Sequence, residues 1–227
     1  MSPYSTYRRT YKANAAKRRR KKRIIRFFTL LVIFFLLIGS YRLLRETVLP
    51  KKMDVPVAIT LSKSYEKPSI KANLLDPNPY SRPETPLKDV KGVVIHYVGN
   101  PGTSAVANRN YFNNLAKTKS TYASSHFVID MDGTIIQCIP LNEMSYASND
   151  RNQDTISIEV CHPDETGEFT KESYDALISL TKWLCSTYEL NSDDVIRHYD
   201  VTGKLCPLYY VSNEAAWIAL KNDIFKE

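Results

Sequence analysis

Ser125-His126-Phe127-Val128-Ile129-Asp130-Met131-Asp132-Gly133-Thr134-Ile135-Ile136-Gln137-Cys138-Ile139 decides how this chain of 227 residues folds. Two apolar runs, His126 to Asp130 and Thr134 to Ile139, flank Met131-Asp132-Gly133. Asp-Gly supplies the positive φ angles that a tight turn between paired strands requires, so the stretch predicts a β-hairpin. Working outward, Val93 to Val98 reads as a buried strand before the hairpin, and Thr155 to Cys161 and Val195 to His198 as strands after it. Helical patterns lie between them. Ser104 is placed to cap a helix running to about Ala116, with Tyr111, Phe112 and Leu115 inward. Thr170 is placed to cap another, with Phe169 and Tyr174 as a hydrophobic staple. That helix repeats Tyr174, Leu177, Ile178, Thr181, Leu184, Cys185 and Tyr188 at helical spacing, and Ser212 caps a last helix whose face is Trp217, Leu220 and Ile224. Strands interleaved with helices predict an α/β domain over residues 78–227: a mixed central β-sheet of about five strands with helices packed on it.

The chain before this domain has a different texture. The net charge of +7 is concentrated at one end: residues 1–26 hold eleven of the 31 Lys and Arg and no acid, which leaves 20 bases against 24 acids in the rest. A body of about −4 gives no electrostatic footprint for nucleic acid, and none is expected as a partner. Residues 1–23 read as a basic cytoplasmic arm without apolar periodicity. Residues 24–44 read as a single N-terminal transmembrane signal-anchor, because Ile24 to Tyr41 is almost wholly apolar and spans about 27 Å as a helix. The uninterrupted apolar part, Phe27 to Ile38, also has the length of a cleavable signal peptide, but Gly39-Ser40-Tyr41-Arg42 matches a small-x-small cleavage site poorly. The dense positive charge before the span keeps the N-terminus inside and the domain outside. The expectation is therefore a single-pass cell-membrane protein that engages the bilayer through this helix, with secretion after cleavage as the alternative. Residues 46–90 carry seven of the twelve prolines, and 45–77 read as an extended extracytoplasmic stalk. The strand candidate within them is Val55 to Leu61.

Four cysteines are too few for a disulfide scaffold. Cys138, Cys161 and Cys185 read as buried free thiols, with one bridge between Cys138 and Cys161 as the alternative. Cys206 is different. It ends the stretch Arg197-His198-Tyr199-Asp200-Val201-Thr202-Gly203-Lys204-Leu205-Cys206-Pro207, in which a loop can fold the thiol back beside His198. His96 lies on the apolar run about a hundred residues earlier. Two imidazoles and one thiolate make three protein ligands for a tetrahedral Zn2+ and leave a fourth position for water, which separates a catalytic zinc from a closed structural one. This ligand set implies a zinc hydrolase. Glu159 stands among Ile156, Ile158 and Val160, where a carboxylate needs a partner or a function. His126 points to the opposite face of its strand from Ser125 and reads as structural. His162, beside Cys161, has no further ligands near it. Asp200 rivals Cys206 as a ligand, but capping the turn after His198 suits it better. Trp183 and Trp217 lie on helices and read as packing.

His96 in Val-Val-Ile-His-Tyr, the Ser125 to Gly133 hairpin, Ile158-Glu159 and His198-x7-Cys206-Pro207 together resemble the type-2 N-acetylmuramoyl-L-alanine amidases. Phage T7-type lysozyme and the peptidoglycan recognition proteins share that fold. The resemblance covers roughly residues 78–225. It implies hydrolysis of the amide between the lactyl group of N-acetylmuramic acid and the first L-Ala of the peptidoglycan stem peptide. It also implies zinc ligands at His96, His198 and Cys206, a catalytic lysine at Lys204 and a catalytic glutamate at Glu159. The phage-type enzymes have a tyrosine where this chain has Ser125, so Glu159 takes the proton-handling role here. Two other functions fit the same residues: a non-catalytic module that binds peptidoglycan, and a zinc peptidase acting on the stem peptide. Binders of this fold often lack the cysteine ligand, so Cys206 favours an enzyme.

Overall fold

The computed structural model describes residues 58–226, together with Leu31 and Phe34. The expected arm and membrane span at 1–44 otherwise lie outside the described residues, and among the described residues no helix is long and apolar enough to cross a membrane. The chain divides into units of residues 1–55 and 56–227, and the second holds everything below.

Its elements, in order, are β1 (Ile70–Ala72), β2 (Val93–Tyr97), α1 (Ala105–Thr118), β3 (Phe127–Ile129), β4 (Ile135–Gln137), β5 (Ile156–Val160), α2 (Lys171–Tyr188), β6 (Val195–Arg197), α3 (His198–Thr202), α4 (Leu208–Ser212) and α5 (Glu214–Phe225), with a 3-10 turn at Asn149–Arg151. The strands form one mixed sheet in the order β1-β4-β3-β5-β2-β6. The hairpin forms where the sequence predicts it. β3 and β4 pair antiparallel with Val128 opposite Ile136, and Gly133 closes the turn at φ +82°, where a side chain would meet the Glu172 carbonyl. Every other pairing is parallel.

Alternation along the strands gives the sheet two unlike faces. Val93 and Ile95 of β2 and Ile156, Ile158 and Val160 of β5 pack with Leu177, Leu180 and Leu184 of α2 and with Trp217, Leu220 and Ile224 of α5. Each such side chain removed from water contributes about 1.5–3 kcal/mol. His96 and Glu159, register partners across β2 and β5, fall on the other face, together with Val128, Ile136 and the inward Ala105 and Phe112 of α1. The chain leaves β2 through α1 toward β3, and leaves β5 through α2 toward β6, in the opposite direction. The crevice outside the carboxyl ends of β2 and β5 is therefore a topological switch point, where sheets of this kind hold ligands.

Three expectations are corrected. The sheet has six strands rather than about five, because Ile70–Ala72, inside the segment read as stalk, pairs parallel with β4. Prolines at 68 and 77 flank this three-residue edge strand instead of interrupting it. More of the same segment lies along the domain: Thr60 bridges Asn191 and the Tyr65 amide donates to Ser186 Oγ. Tyr111 is 52% exposed, since Ala105, Phe112 and Leu115 already define the inward stripe of α1. The last long helix is capped by Asn213, whose side chain accepts from the Ala216 amide; Ser212 instead ends α4. The cysteines are as expected: all four are free and buried, and Cys138 and Cys161 share a core cluster without the alternative bridge.

Candidate metal centre

Three backbone devices bring the site together. His96 is the penultimate residue of β2, and its register partner Glu159 is the penultimate residue of β5. His198 is the first residue of α3, directly after β6. Arg197 fixes that junction: its amide donates to Asp200 Oδ2 at 2.8 Å, and its guanidinium bonds Asp200, Glu214 and the Tyr210 carbonyl while lying over the Tyr199 and Trp217 rings. Asp200 is thus a cap and not a ligand. Gly203, at φ +78°, then turns the chain back, and the Tyr199 amide donates to the Cys206 carbonyl at 2.9 Å. The thiol returns beside the imidazoles.

The metal-ligating atoms of His96, His198 and Cys206 all lie within 4.8 Å of one another, and all three residues are buried. His96 Nδ1 is 3.8 Å from Cys206 Sγ and 4.0 Å from Glu159 Oε1. The other ring nitrogens are occupied: His96 Nε2 meets Ser148 Oγ at 3.1 Å, and His198 Nε2 meets Asn149 Oδ1 at 3.0 Å. An amide oxygen can only accept, so His198 Nε2 carries the proton and Nδ1 keeps its lone pair for the centre. That Nδ1, like Glu159 Oε2, is buried with no hydrogen-bond partner among the described residues. Orphaned buried polar atoms are costly, and here they converge. Two neutral imidazoles and a soft sulfur ligand suit zinc, so the residues fit the ion.

The electrostatics agree with this reading. Burial, then His198 and Lys204, hold His96 well below its ordinary value, and burial and Lys204 lower His198, so both rings are neutral. Burial raises the Glu159 carboxyl to about 8, opposed by Lys204. Burial followed by Glu159 pushes the Cys206 thiol up to about 12. A cation held by the cluster would reverse the balance for both acids. Lys204 itself is exposed at the rim.

The residues set apart in the sequence sort cleanly. His126 is buried, with Nδ1 accepting from the Ser157 amide and Nε2 donating to the Glu143 carbonyl. His162 is tied to the carbonyls of Val98 and Asp164. Ser125 Oγ donates to the Phe127 carbonyl at 2.9 Å and reaches the Ser157 carbonyl at 3.0 Å, and so is held among the strands. Trp217 is buried against the core. Ser148 and Asn149, which hold both ligand rings, are not singled out by the sequence. They sit in the polar run Ser145 to Gln153, which reads as a solvated loop, and Asn149 adopts φ +50° to reach its ring.

A mixed sheet that brings two imidazoles and a thiol together beside a carboxyl, at the carboxyl ends of its central parallel strands, forms a group of side chains that could hold a metal ion. Residues 86–208 match the family described as N-acetylmuramoyl-L-alanine amidase, and the chain belongs to that family. It is 33% identical over 164 residues to a probable N-acetylmuramoyl-L-alanine amidase of Bacillus licheniformis, a match covering 67% of this chain and 46% of the relative. It is also 34% identical over 156 residues to the N-acetylmuramoyl-L-alanine amidase CwlL of Bacillus licheniformis, covering 63% of this chain and 43% of that protein. The chain therefore spans less than half the length of these two relatives. Among solved structures, the catalytic domain of XlyA superposes with a TM-score of 0.58 at 25% identity, over 69% of this chain and 99% of that one. PlyL has the same fold, with a TM-score of 0.59 at 23% identity over 69% and 96% of the two chains.

Proposed function

We propose that this chain is a zinc-dependent amidase that hydrolyses the bond between N-acetylmuramic acid and L-Ala in cell-wall peptidoglycan. The observation that carries the reading is the convergence of His96, His198 and Cys206 beside Glu159, on the fold of a family described by that activity. His96, His198 and Cys206 would hold the ion. When bound, zinc supplies Lewis acidity that polarises a carbonyl and makes hydroxide available near neutral pH, lowering the pKa of water from 15.7 to about 7.

The rest falls to the chain. An amide nitrogen leaves poorly unless a proton reaches it as the C–N bond breaks. Glu159 has one oxygen facing His96 and the other free of partners, so it can take a proton from the attacking water and return it to the departing nitrogen. The positive charge of Lys204 lowers the proton affinity of both imidazoles and of Glu159, which supports a role for its ammonium in stabilising the carbonyl oxygen as negative charge grows there. Losing one such group costs about 100- to 1000-fold in rate. Ser148 and Asn149 keep the rings aimed.

The basic residues before the apolar run 24–44 support a location for the domain on the outer side of a cell membrane, close to the wall it would cut, with release by cleavage as the alternative. The test is the product. The full chain, purified in detergent and loaded with zinc, should release peptides that begin with L-Ala from purified peptidoglycan and leave the glycan strands intact, as read by mass spectrometry. Peptides cut between amino acids would instead identify a stem-peptide peptidase, and binding without any product would identify a recognition module.

A further inference from the structure

Three tyrosines far apart in the sequence meet on the surface of the domain. The Tyr80 and Tyr122 rings stack with centroids 5.1 Å apart and planes 25° apart, and Tyr146 meets Tyr122 edge-on at 5.4 Å. Tyr122 is 59% exposed, and Tyr80 and Tyr146 are half-buried beside it. A single exposed tyrosine is ordinary; three linked ring to ring through Tyr122 outside the core form an apolar surface with hydroxyl tips. The array is also rigid. The Ala123 amide donates to the Tyr80 carbonyl at 3.1 Å, the Ser124 amide to the Tyr146 carbonyl at 3.0 Å, and the Tyr146 amide to Ser124 Oγ at 2.9 Å. Three separate loops are thereby stitched into one platform before anything binds.

Its position follows from the loop that carries Tyr146. Ser145 Oγ meets Ser157 Oγ at 2.8 Å on β5, and Ser148 Oγ meets His96 Nε2 at 3.1 Å. Ser157 and Glu159 are two apart on the same strand and share a face, so the loop is pinned on both sides of Tyr146 to the face that carries the metal centre. The bond assigned above has a sugar on one side and a peptide on the other. The stem peptide carries charged groups and calls for charged partners, whereas the three rings are neutral. A pyranose offers flat C–H faces with hydroxyl edges, which match ring faces with phenol tips.

We propose that Tyr80, Tyr122 and Tyr146 form a stacking platform for the pyranose rings of the glycan strand, seating the sugar side of the substrate beside the His96–His198–Cys206 centre. The inference rests on the amidase reading for its choice of ligand, but its test does not depend on turnover. Calorimetric titration of the full chain with a peptide-free tetrasaccharide of alternating N-acetylglucosamine and N-acetylmuramic acid should show saturable binding. Tyr122→Ala should weaken it about tenfold or more, while Tyr122→Phe, which keeps the ring, stays within about threefold. Tyr80→Ala should weaken it in the same direction. An unchanged melting temperature of Tyr122→Ala separates a lost contact from a lost fold. No binding by the wild type, or equal affinity in Tyr122→Ala and wild type, overturns the platform. Tyrosine-dependent binding in a chain that cuts no peptidoglycan keeps the platform and removes the amidase reading instead.

Discussion

The two faces of the central sheet are made by the same strands and serve different ends. On one face, Ile95 and Ile158 meet Leu177, Leu180 and Leu184 in a wholly apolar layer. On the other, the next residues along, His96 and Glu159, share the layer with Ser157, Ser145 and His126. One residue of offset along β2 or β5 is the difference between packing and chemistry. The lesson is a division of labour: the α2 and α5 face supplies stability, and the opposite face can then keep orphaned polar atoms aimed at one point.

Breaking the apolar face should give the largest change. Leu180→Ala removes a fully buried side chain facing α2's partners and should lower the unfolding free energy by about 2–5 kcal/mol in urea titrations, with zinc content of the folded fraction unchanged. If it strips the metal as readily as it lowers stability, the faces are not separable.

Acid should find the polar face next. Burial holds His126 at about 4 in the folded chain against 6.5 in solution, so below 6.5 the unfolded chain takes up a proton that the folded one refuses. The stability this group secures is complete above pH 6.5 and lost as the pH falls toward 4, by about 3 kcal/mol at the end of that window. The wild type should lose stability between pH 7 and 4.5 more steeply than His126→Gln. Parallel slopes would show that the ring is not the acid-sensitive element of that face.

Smaller still is the effect of loosening a ligand ring. Asn149→Ala leaves His198 Nε2 without its acceptor and should weaken zinc binding about 10- to 100-fold in a chelator competition, whereas Asn149→Asp keeps an acceptor and most of the affinity. The smallest effect belongs to the exposed side of α1. Tyr111→Ser should move stability by less than about 0.5 kcal/mol, against several for its buried neighbour in Phe112→Ala.

Much of this division is legible in the sequence. The hairpin is marked by Asp132-Gly133, the buried strands by β-branched runs, and the candidate ligands by residues that are anomalous in apolar surroundings or follow a strand. What escapes is what forms only by assembly. β1 is three residues at a sheet edge, flanked by prolines and mostly exposed, with too little alternation to register as a strand. Ser148, Asn149 and the three tyrosines lie in loops whose composition resembles any solvated surface, and only the fold brings them to the centre. Ser212 and Asn213 are adjacent residues of equal capping chemistry, so local pattern cannot choose between them.

The most direct test of the account is a double dissociation at the centre itself. Zinc content and release of L-Ala-terminated peptides from peptidoglycan are measured together for the wild type, Cys206→Ser and Glu159→Gln, with melting temperatures as the control for folding. The account predicts one zinc and turnover for the wild type, loss of zinc and turnover in Cys206→Ser, and retained zinc with turnover reduced about 100-fold or more in Glu159→Gln. Full turnover in Glu159→Gln, or an unchanged zinc content in Cys206→Ser, would contradict it.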